Sequence, residues 1–276
     1  MTVGPASLAV MRLATWNINS IRSRADRALA FLERSGTDVL ALQETKCKAE
    51  QFPREPFEAA GYEVAASGFS QWNGVAIISR VGLSDVEESF HGQPPFGPEP
   101  VVEARALGAT CAGVRVWSLY VPNGRELDNP HYPYKLAWLE ELRNQATSWI
   151  TPGSGDPAAQ VALVGDWNVA PLDTDVWDAD FFAGKTHVSP AERTAFTSFA
   201  EAGYTEVTRA FLPDERVYTY WDYQQLRFPR NEGMRIDFAY ASPALAARVT
   251  GVQIDRKERK GKGASDHVPV IVDLVD

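Results

Sequence analysis

Several short segments, spread along nearly the whole chain, carry acids or amides at places where such groups suit holding a divalent cation and a phosphate. They are Trp16-Asn17-Ile18-Asn19, Leu42-Gln43-Glu44-Thr45-Lys46, Gly165-Asp166-Trp167-Asn168, Arg235-Ile236-Asp237 and Ser265-Asp266-His267-Val268-Pro269. Each adjoins an apolar run that reads as a buried strand, and strand ends that meet in space are a rigid support for such a site. Glu44 ends the run 39–43, where a carboxylate is costly unless it is paired or bound to a cation. Asp166 and Asn168 follow the run 161–165 and, two apart on extended chain, are expected to point to one side. An acid beside an amide suits proton abstraction from a water that the amide positions. Asp266 and His267 are adjacent, so on a strand they face opposite sides. The acid that orients His267 must come from elsewhere, and Asp237 is the natural candidate. Tyr120, with Asn123 and Arg125 just beyond it, ends another run, and all three could face a phosphate. His91, His131 and His187 are assigned no chemistry.

The elements that would position these groups follow from hydrophobic patterning. Strand-like runs fall at 11–16, 38–43, 62–66, 74–79, 101–107, 113–121, 160–166, 235–241, 250–254 and 268–275. Many are nearly all apolar, as strands covered on both faces should be. Helical patterns occupy 24–34 and 133–150. Another helix opens with Ser189, Pro190 and Glu192 as a capping box, and a shorter one with Ser242-Pro243. The pairs 62–66 with 74–79 and 101–107 with 113–121 are too close for a helical crossover and must be antiparallel hairpins. Strands that flank helices can be parallel. This mixture predicts an α/β fold with two mixed β-sheets packed face to face and helices on the outside. Long loops are expected at 91–100, 122–131, 151–159, 171–188 and 222–234, without the composition of an interdomain linker. A loose tail over 1–10 followed by a single domain over 11–276 is the expected organisation.

Composition sets the limits. With 45% hydrophobic and 23% charged residues, the chain is globular and not disordered over most of its length. A net charge of −9 argues against coating nucleic acid by bulk charge. Basic residues are local instead: Arg22, Arg24 and Arg27 follow the first segment and Lys46 and Lys48 the second, while Arg256, Lys257, Arg259, Lys260 and Lys262 precede the Ser-Asp-His segment. Runs that each adjoin a candidate site segment suit a phosphate-binding rim. Tyr218, Tyr220, Trp221 and Tyr223, near Arg227 and Arg230, suit stacking on bases or insertion into a duplex, with packing between layers as the alternative. The two cysteines, Cys47 and Cys111, lack C-x-x-C spacing and read as free thiols in a reducing cytoplasm. No apolar run approaches the roughly 18 residues of a membrane span.

Together with Asn73-Gly74-Val75-Ala76, Tyr120-Val121-Pro122-Asn123 and Trp221-Asp222-Tyr223, the site segments resemble the exonuclease III class of AP endonucleases, within the endonuclease/exonuclease/phosphatase superfamily. The resemblance runs from about residue 12 to 276 in family order. It implies a four-layer α/β sandwich and Mg²⁺-dependent cleavage, with Mn²⁺ as a substitute, of the phosphodiester 5′ to abasic sites in duplex DNA. It also implies cleaning of blocked 3′ ends, 3′→5′ exonuclease action and a monomer with no membrane contact. By the same resemblance Glu44 is the main metal ligand, with Asn17 and Asp266 near it. Asp166 or an ionised Tyr120 activates water or positions the attack, a choice left open at this level. Asn168 orients the nucleophile, and His267, held by Asp237, contacts the phosphate. Asn19, Asn123 and Arg125 hold DNA, and Tyr220, Met234 and Ile236 form the abasic pocket, with Met234 standing where Trp is expected. A phosphatase or phospholipase of the same superfamily is the competing enzyme reading. A DNA-binding relative without catalysis is the competing reading of another class, but it should have lost one of the acids.

Overall fold

The computed structural model describes residues 10–275, so the expected tail over 1–10 lies, but for Val10, outside the described residues. Its strands are β1 (Val10–Asn17), β2 (Val39–Gln43), β3 (Glu63–Ser67), β4 (Val75–Ser79), β5 (Ser84–Glu87), β6 (Ala106–Cys111), β7 (Val114–Tyr120), β8 (Val161–Asp166), β9 (Thr205–Glu206), β10 (Asp237–Ala241), β11 (Val249–Ile254) and β12 (Val270–Val275). Its helices are α1 (Ala25–Ser35), α2 (Glu55–Ala59), α3 (His131–Ile150), α4 (Ala179–Phe182), α5 (Pro190–Glu201), α6 (Val207–Phe211) and α7 (Pro243–Ala246). Strand order is β11-β12-β1-β2-β4-β3 in one six-stranded sheet and β5-β6-β7-β8-β10-β9 in the other.

Both sheets are mixed for the reason visible in the sequence. α1 connects β1 to the parallel β2, and α3 connects β7 to the parallel β8, while the short links β3–β4 and β6–β7 make antiparallel hairpins. The period of two along each strand then fills two apolar layers at once. In β2, Val39 and Ala41 face the other sheet, where Val116, Val164 and Ala239 meet them. Leu40 and Leu42 face outward, under Phe31 and Leu32 of α1 and Phe57 of α2. On the far side, Trp117, Leu163 and Phe238 pack under Trp138 and Leu142 of α3 and Phe196 and Phe199 of α5. The result is the four-layer helix–sheet–sheet–helix sandwich.

The Ser189 cap signal holds, whereas Ser242 precedes α7 but spends its hydroxyl on the Ala159 carbonyl at 2.6 Å instead of capping the helix. Ser189 accepts from the Glu192 N–H, and the Glu192 carboxylate accepts from the Ser189 N–H. Differences fall where patterning is weak. Residues 101–105 form a loop, with β6 beginning only at Ala106. The short strands β5 and β9 were not anticipated, since β5 is a polar, fully exposed edge with no alternation to read. The expected loop over 171–188 contains α4. Val10, placed in the expected tail, instead belongs to β1, where it pairs with Val275. Cys47 and Cys111 are both free, as expected, and both are buried.

Gly165 shows how tightly the site end of the second sheet is built. A Cβ at this position would collide with the Leu119 carbonyl oxygen on the neighbouring strand. Gly165→Ala is therefore expected to cost about 2–3 kcal/mol, as overpacking does, and to displace Asp166. Denaturant titration checks this, and an unchanged midpoint would show that β7 and β8 separate freely.

Candidate active site

Register brings the acids together. Across the second sheet Tyr120 pairs with Asp166, and Asp166 with Asp237, so the ends of β7 and β8 and the start of β10 lie abreast. In the first sheet Asn17 pairs with Gln43, one residue before Glu44, and Thr15 pairs with Val270, just beyond the His267 segment. The Trp16 indole donates to the His267 carbonyl at 3.1 Å, and the Ser265 hydroxyl to the Asn17 carbonyl at 2.7 Å. Face-to-face packing of the sheets then closes one row of chemical groups over the other.

The groups are tightly linked. Asn17 Nδ2 bridges the two acids, donating to Glu44 Oε1 at 2.8 Å and to Asp166 Oδ2 at 3.0 Å. His267 Nδ1 lies 2.9 Å from Asp237 Oδ2, and its Nε2 lies 3.8 Å from Asp166 Oδ2. The expected orienting acid is therefore Asp237. Burial disfavours the imidazolium, but Asp237 and Asp166 outweigh it and hold the His267 pKa well above the ordinary histidine value. Asp166 moves up from the usual carboxylate range through burial, with Asp237 and Glu44 adding to the rise and His267 opposing it. Burial alone would also raise Glu44, yet Lys46, 2.7 Å away, and Asn17 hold it below the usual value. Burial, followed by the charge of Glu44, drives the Tyr120 phenol well above its ordinary pKa. That is the wrong direction for a phenolate and leaves Tyr120 a neutral hydroxyl, so among the two candidates for activating water Asp166 has the suitable proton affinity.

The Asn168 backbone is not extended, as the sequence reading assumed, but left-handed (φ 51°). Its N–H donates to Asp166 Oδ1 at 3.0 Å, its Nδ2 to the Val121 carbonyl at 2.9 Å, and its Oδ1 accepts from Asn123 Nδ2 at 3.2 Å. One Nδ2 hydrogen is not used by these bonds. Glu44 (φ 52°), Lys46 (φ 51°) and Asn19 (φ 47°) share this uncommon conformation, which only well-determined surroundings maintain.

Glu44, Asp166 and His267 offer ligand atoms within 4.8 Å of one another. A charged His267 has no lone pair for a metal, whereas the Glu44 carboxylate, held below the usual pKa, could serve as a donor, and hard oxygen donors suit Mg²⁺ or a similar divalent ion. The acids outnumber the nearby positive groups, which also suits a cation. Two expected metal neighbours stand differently. Asn17 turns its amide nitrogen to both acids and so ties Glu44 to Asp166. Asp266 lies one step away, accepting from Asn19 Nδ2 at 2.9 Å, while Asn19 Oδ1 accepts from Lys46 at 2.6 Å.

The rim places Lys260 and Lys262 in exposed positions on a loop tied back by Arg24, which donates to the Gly263 carbonyl at 2.8 Å. Trp221 corrects the expectation of a stacking surface: it is fully buried, packed with Tyr218 and Val268. Ile236 is likewise buried, against Ala170, Val176 and Met234. Tyr220 stands at the cleft, its ring centroid 4.9 Å from that of His267. With Met234 it borders a cavity of about 260 Å³ whose other walls include Trp177, Phe181, Phe182 and Arg227. A second cavity, about 520 Å³, is lined by Arg125, Phe182, Lys185, His187 and Met234. The sequence reading missed these aromatics of α4 and its vicinity, and also His187, which was assigned no chemistry. His187 is buried, with Nε2 at 3.4 Å from Asn123 Nδ2. Trp177, Phe181 and Phe182 had one usable signal, an apolar cluster inside a presumed loop. His187 had none.

Comparison with known proteins defines the class. The model of the endonuclease/exonuclease/phosphatase family matches residues 14–267, and the chain belongs to this family. Within it the chain groups with the exodeoxyribonuclease III and AP endonuclease proteins. It is 30% identical to the exodeoxyribonuclease of Bacillus subtilis, over 94% of this chain and 98% of that protein. An AP endonuclease structure from Archaeoglobus fulgidus superposes with a TM-score of 0.88 at 35% identity, covering 96% of this chain and 99% of the other. The 3′ phosphatase NExo from Neisseria, bound to a product DNA hairpin, gives a TM-score of 0.88 at 34% identity, covering 96% and 99%.

The His267–Asp237 contact generates a direct expectation. Substituting either residue, as His267→Gln or Asp237→Asn, should lower turnover by about 10²–10³, as loss of an electrostatic donor commonly does. The double variant should be far from multiplicatively worse, because the two act as a unit. Independent losses in single-turnover kinetics would show that they do not.

Proposed function

We propose that the protein is a DNA-repair phosphodiesterase of the exonuclease III type. It hydrolyses the phosphodiester 5′ to abasic sites in duplex DNA, clears blocked 3′ ends and degrades strands from the 3′ end. The observation that supports this most is the cluster of buried Asp166, Asp237 and His267 with half-buried Glu44 at the meeting strand ends, in a chain whose relatives are named for this chemistry. All of its members come from one chain, which suits a monomer. The buried free thiols suit a reducing cytoplasm.

Glu44 would hold Mg²⁺, or Mn²⁺ in its place, and the bound ion would supply Lewis-acid stabilisation of charge on the phosphate. Asp166 takes the proton of the attacking water, a task for which its raised proton affinity suits it. The free N–H of Asn168 orients that water. His267, kept charged by Asp237, donates to a phosphate oxygen as negative charge develops. The neutral Tyr120 hydroxyl is a further donor next to Glu44. Tyr220 and Met234, above the buried Ile236, receive the abasic sugar, while Asn19, Asn123 and Arg125 hold the flanking strand.

A duplex with a single abasic-site analogue tests the reading, run beside an intact recessed 3′ end and a 3′-phosphate end, with and without Mg²⁺. Cleavage 5′ to the analogue and release of phosphate, both dependent on Mg²⁺, are expected. Glu44→Gln should remove about 10²-fold or more of the rate while the fold survives. Full activity in excess chelator would rule out the metal.

Lys260 and Lys262 are assigned to phosphate contacts at the rim. Changing both to Ala should reduce the slope of log affinity against log salt by about 2, since each phosphate neutralised contributes close to one. An unchanged slope would return these lysines to plain solvent exposure.

A further inference from the structure

The Lys135–Glu192 ion pair lies outside the cluster described above, and neither side chain has exposed surface. Lys135 Nζ donates to Glu192 Oε1 at 2.5 Å, to the Asn168 carbonyl at 2.6 Å and to the Asn123 carbonyl at 3.1 Å. All of its ammonium protons are therefore in use. Glu192 Oε1 also accepts from the Thr186 hydroxyl at 2.7 Å and the His187 N–H at 2.9 Å. Through one charge pair, α3 and α5 hold the loop after β7, the loop after β8 and the loop before α5.

Stability is a weak reason to bury these charges. Desolvation offsets most of their attraction, and apolar residues of similar volume in such places often stabilise a protein. The two helices already pack on the sheet through Trp138, Leu142, Phe196 and Phe199. What apolar residues could not do is bond the Asn168 and Asn123 carbonyls. Those two residues carry the amides that join at 3.2 Å in the cleft, and Asn168 is in the left-handed conformation. A non-glycine residue keeps that conformation only when its surroundings impose it.

We propose that Lys135 and Glu192 are positioning residues for phosphodiester hydrolysis, acting through the Asn168 backbone to set the amide that orients the attacking water. This rests on the role given above to Asn168. A fault in position of about 1 Å can cost about 10²-fold in rate, so the pair influences turnover without touching substrate.

The test is a mutant cycle on the full chain with the abasic-analogue duplex and Mg²⁺. The double variant Lys135→Met/Glu192→Leu keeps the volume and removes both charges. It is expected to unfold cooperatively at a Tm below the parent's, because the Asn168 and Asn123 carbonyls and the Thr186 and His187 donors lose these partners. Its kcat should fall by about 10- to 100-fold with KM changed by no more than about twofold, the pattern of a lost transition-state contribution. Adding Asn168→Ala to this background should cost only a few-fold, whereas the same change in the parent should cost about 10²-fold. Should the double variant not fold, Glu192→Gln enters the same cycle, since it removes the charge and keeps an acceptor for Thr186 and His187. Parent-level kcat in the folded pair variant, beside an impaired Asn168→Ala, overturns the inference alone. So does a full, multiplicative loss when the changes are combined. An unimpaired Asn168→Ala in the parent overturns the role of Asn168 and the inference with it.

Discussion

Anionic charge buried between two sheets is the constraint on which this structure depends. Glu44, Asp166 and Asp237 converge where each would alone be costly to desolvate. They remain there because each has a partner of opposite charge or a donor. Lys46 and Asn17 attend Glu44; Asn17 and the Asn168 N–H attend Asp166; His267 attends Asp237. The excess of acid over base is what a divalent cation and a charged imidazole can use against a phosphate. An arrangement that strains electrostatics without substrate is therefore suited to the charge that develops when a phosphodiester is attacked.

The scaffold follows from that requirement. Side chains held by strand ends move little, and the face-to-face sheets hold two sets of ends at a fixed separation filled by Val39, Val116 and Val164. The residues just past the strands carry the irregular backbone. Glu44, Lys46, Asn19 and Asn168 all adopt left-handed conformations, and the cost of about 1–3 kcal/mol each is borne by the regular sheets around them. The aromatic walls near Tyr220 and Met234 belong to a different layer of the design. They come from α4 and the segments beside it, so they can vary without disturbing the acids.

Much of this was legible in the amino-acid order. Acids and amides beside apolar runs marked the site, because strand ends are where a buried sheet meets solvent. The Ser189–Glu192 capping box was readable because it is local. Hairpin links and helix-length links distinguished antiparallel from parallel pairs, which gave the two mixed sheets. The aromatic segment 218–223 was less informative. Trp221 and Tyr220 are neighbours of similar type, yet one is sealed in the core and the other faces the cleft. Composition cannot separate them, since burial depends on what packs from elsewhere.

The sequence by itself therefore determined the class of chemistry, the sandwich of sheets and the identity of the principal acids and amides, because those are written in local residue types and in the period of two. Only the tertiary structure decided how they are paired. It turned the Asn17 amide nitrogen to both carboxylates, gave Asp237 to His267, made Tyr120 a neutral hydroxyl and drew Lys135 and Glu192 under the Asn168 loop. These outcomes depend on distances between residues far apart in the chain, and on a local dielectric and net charge that exist only once the two sheets have closed over one another.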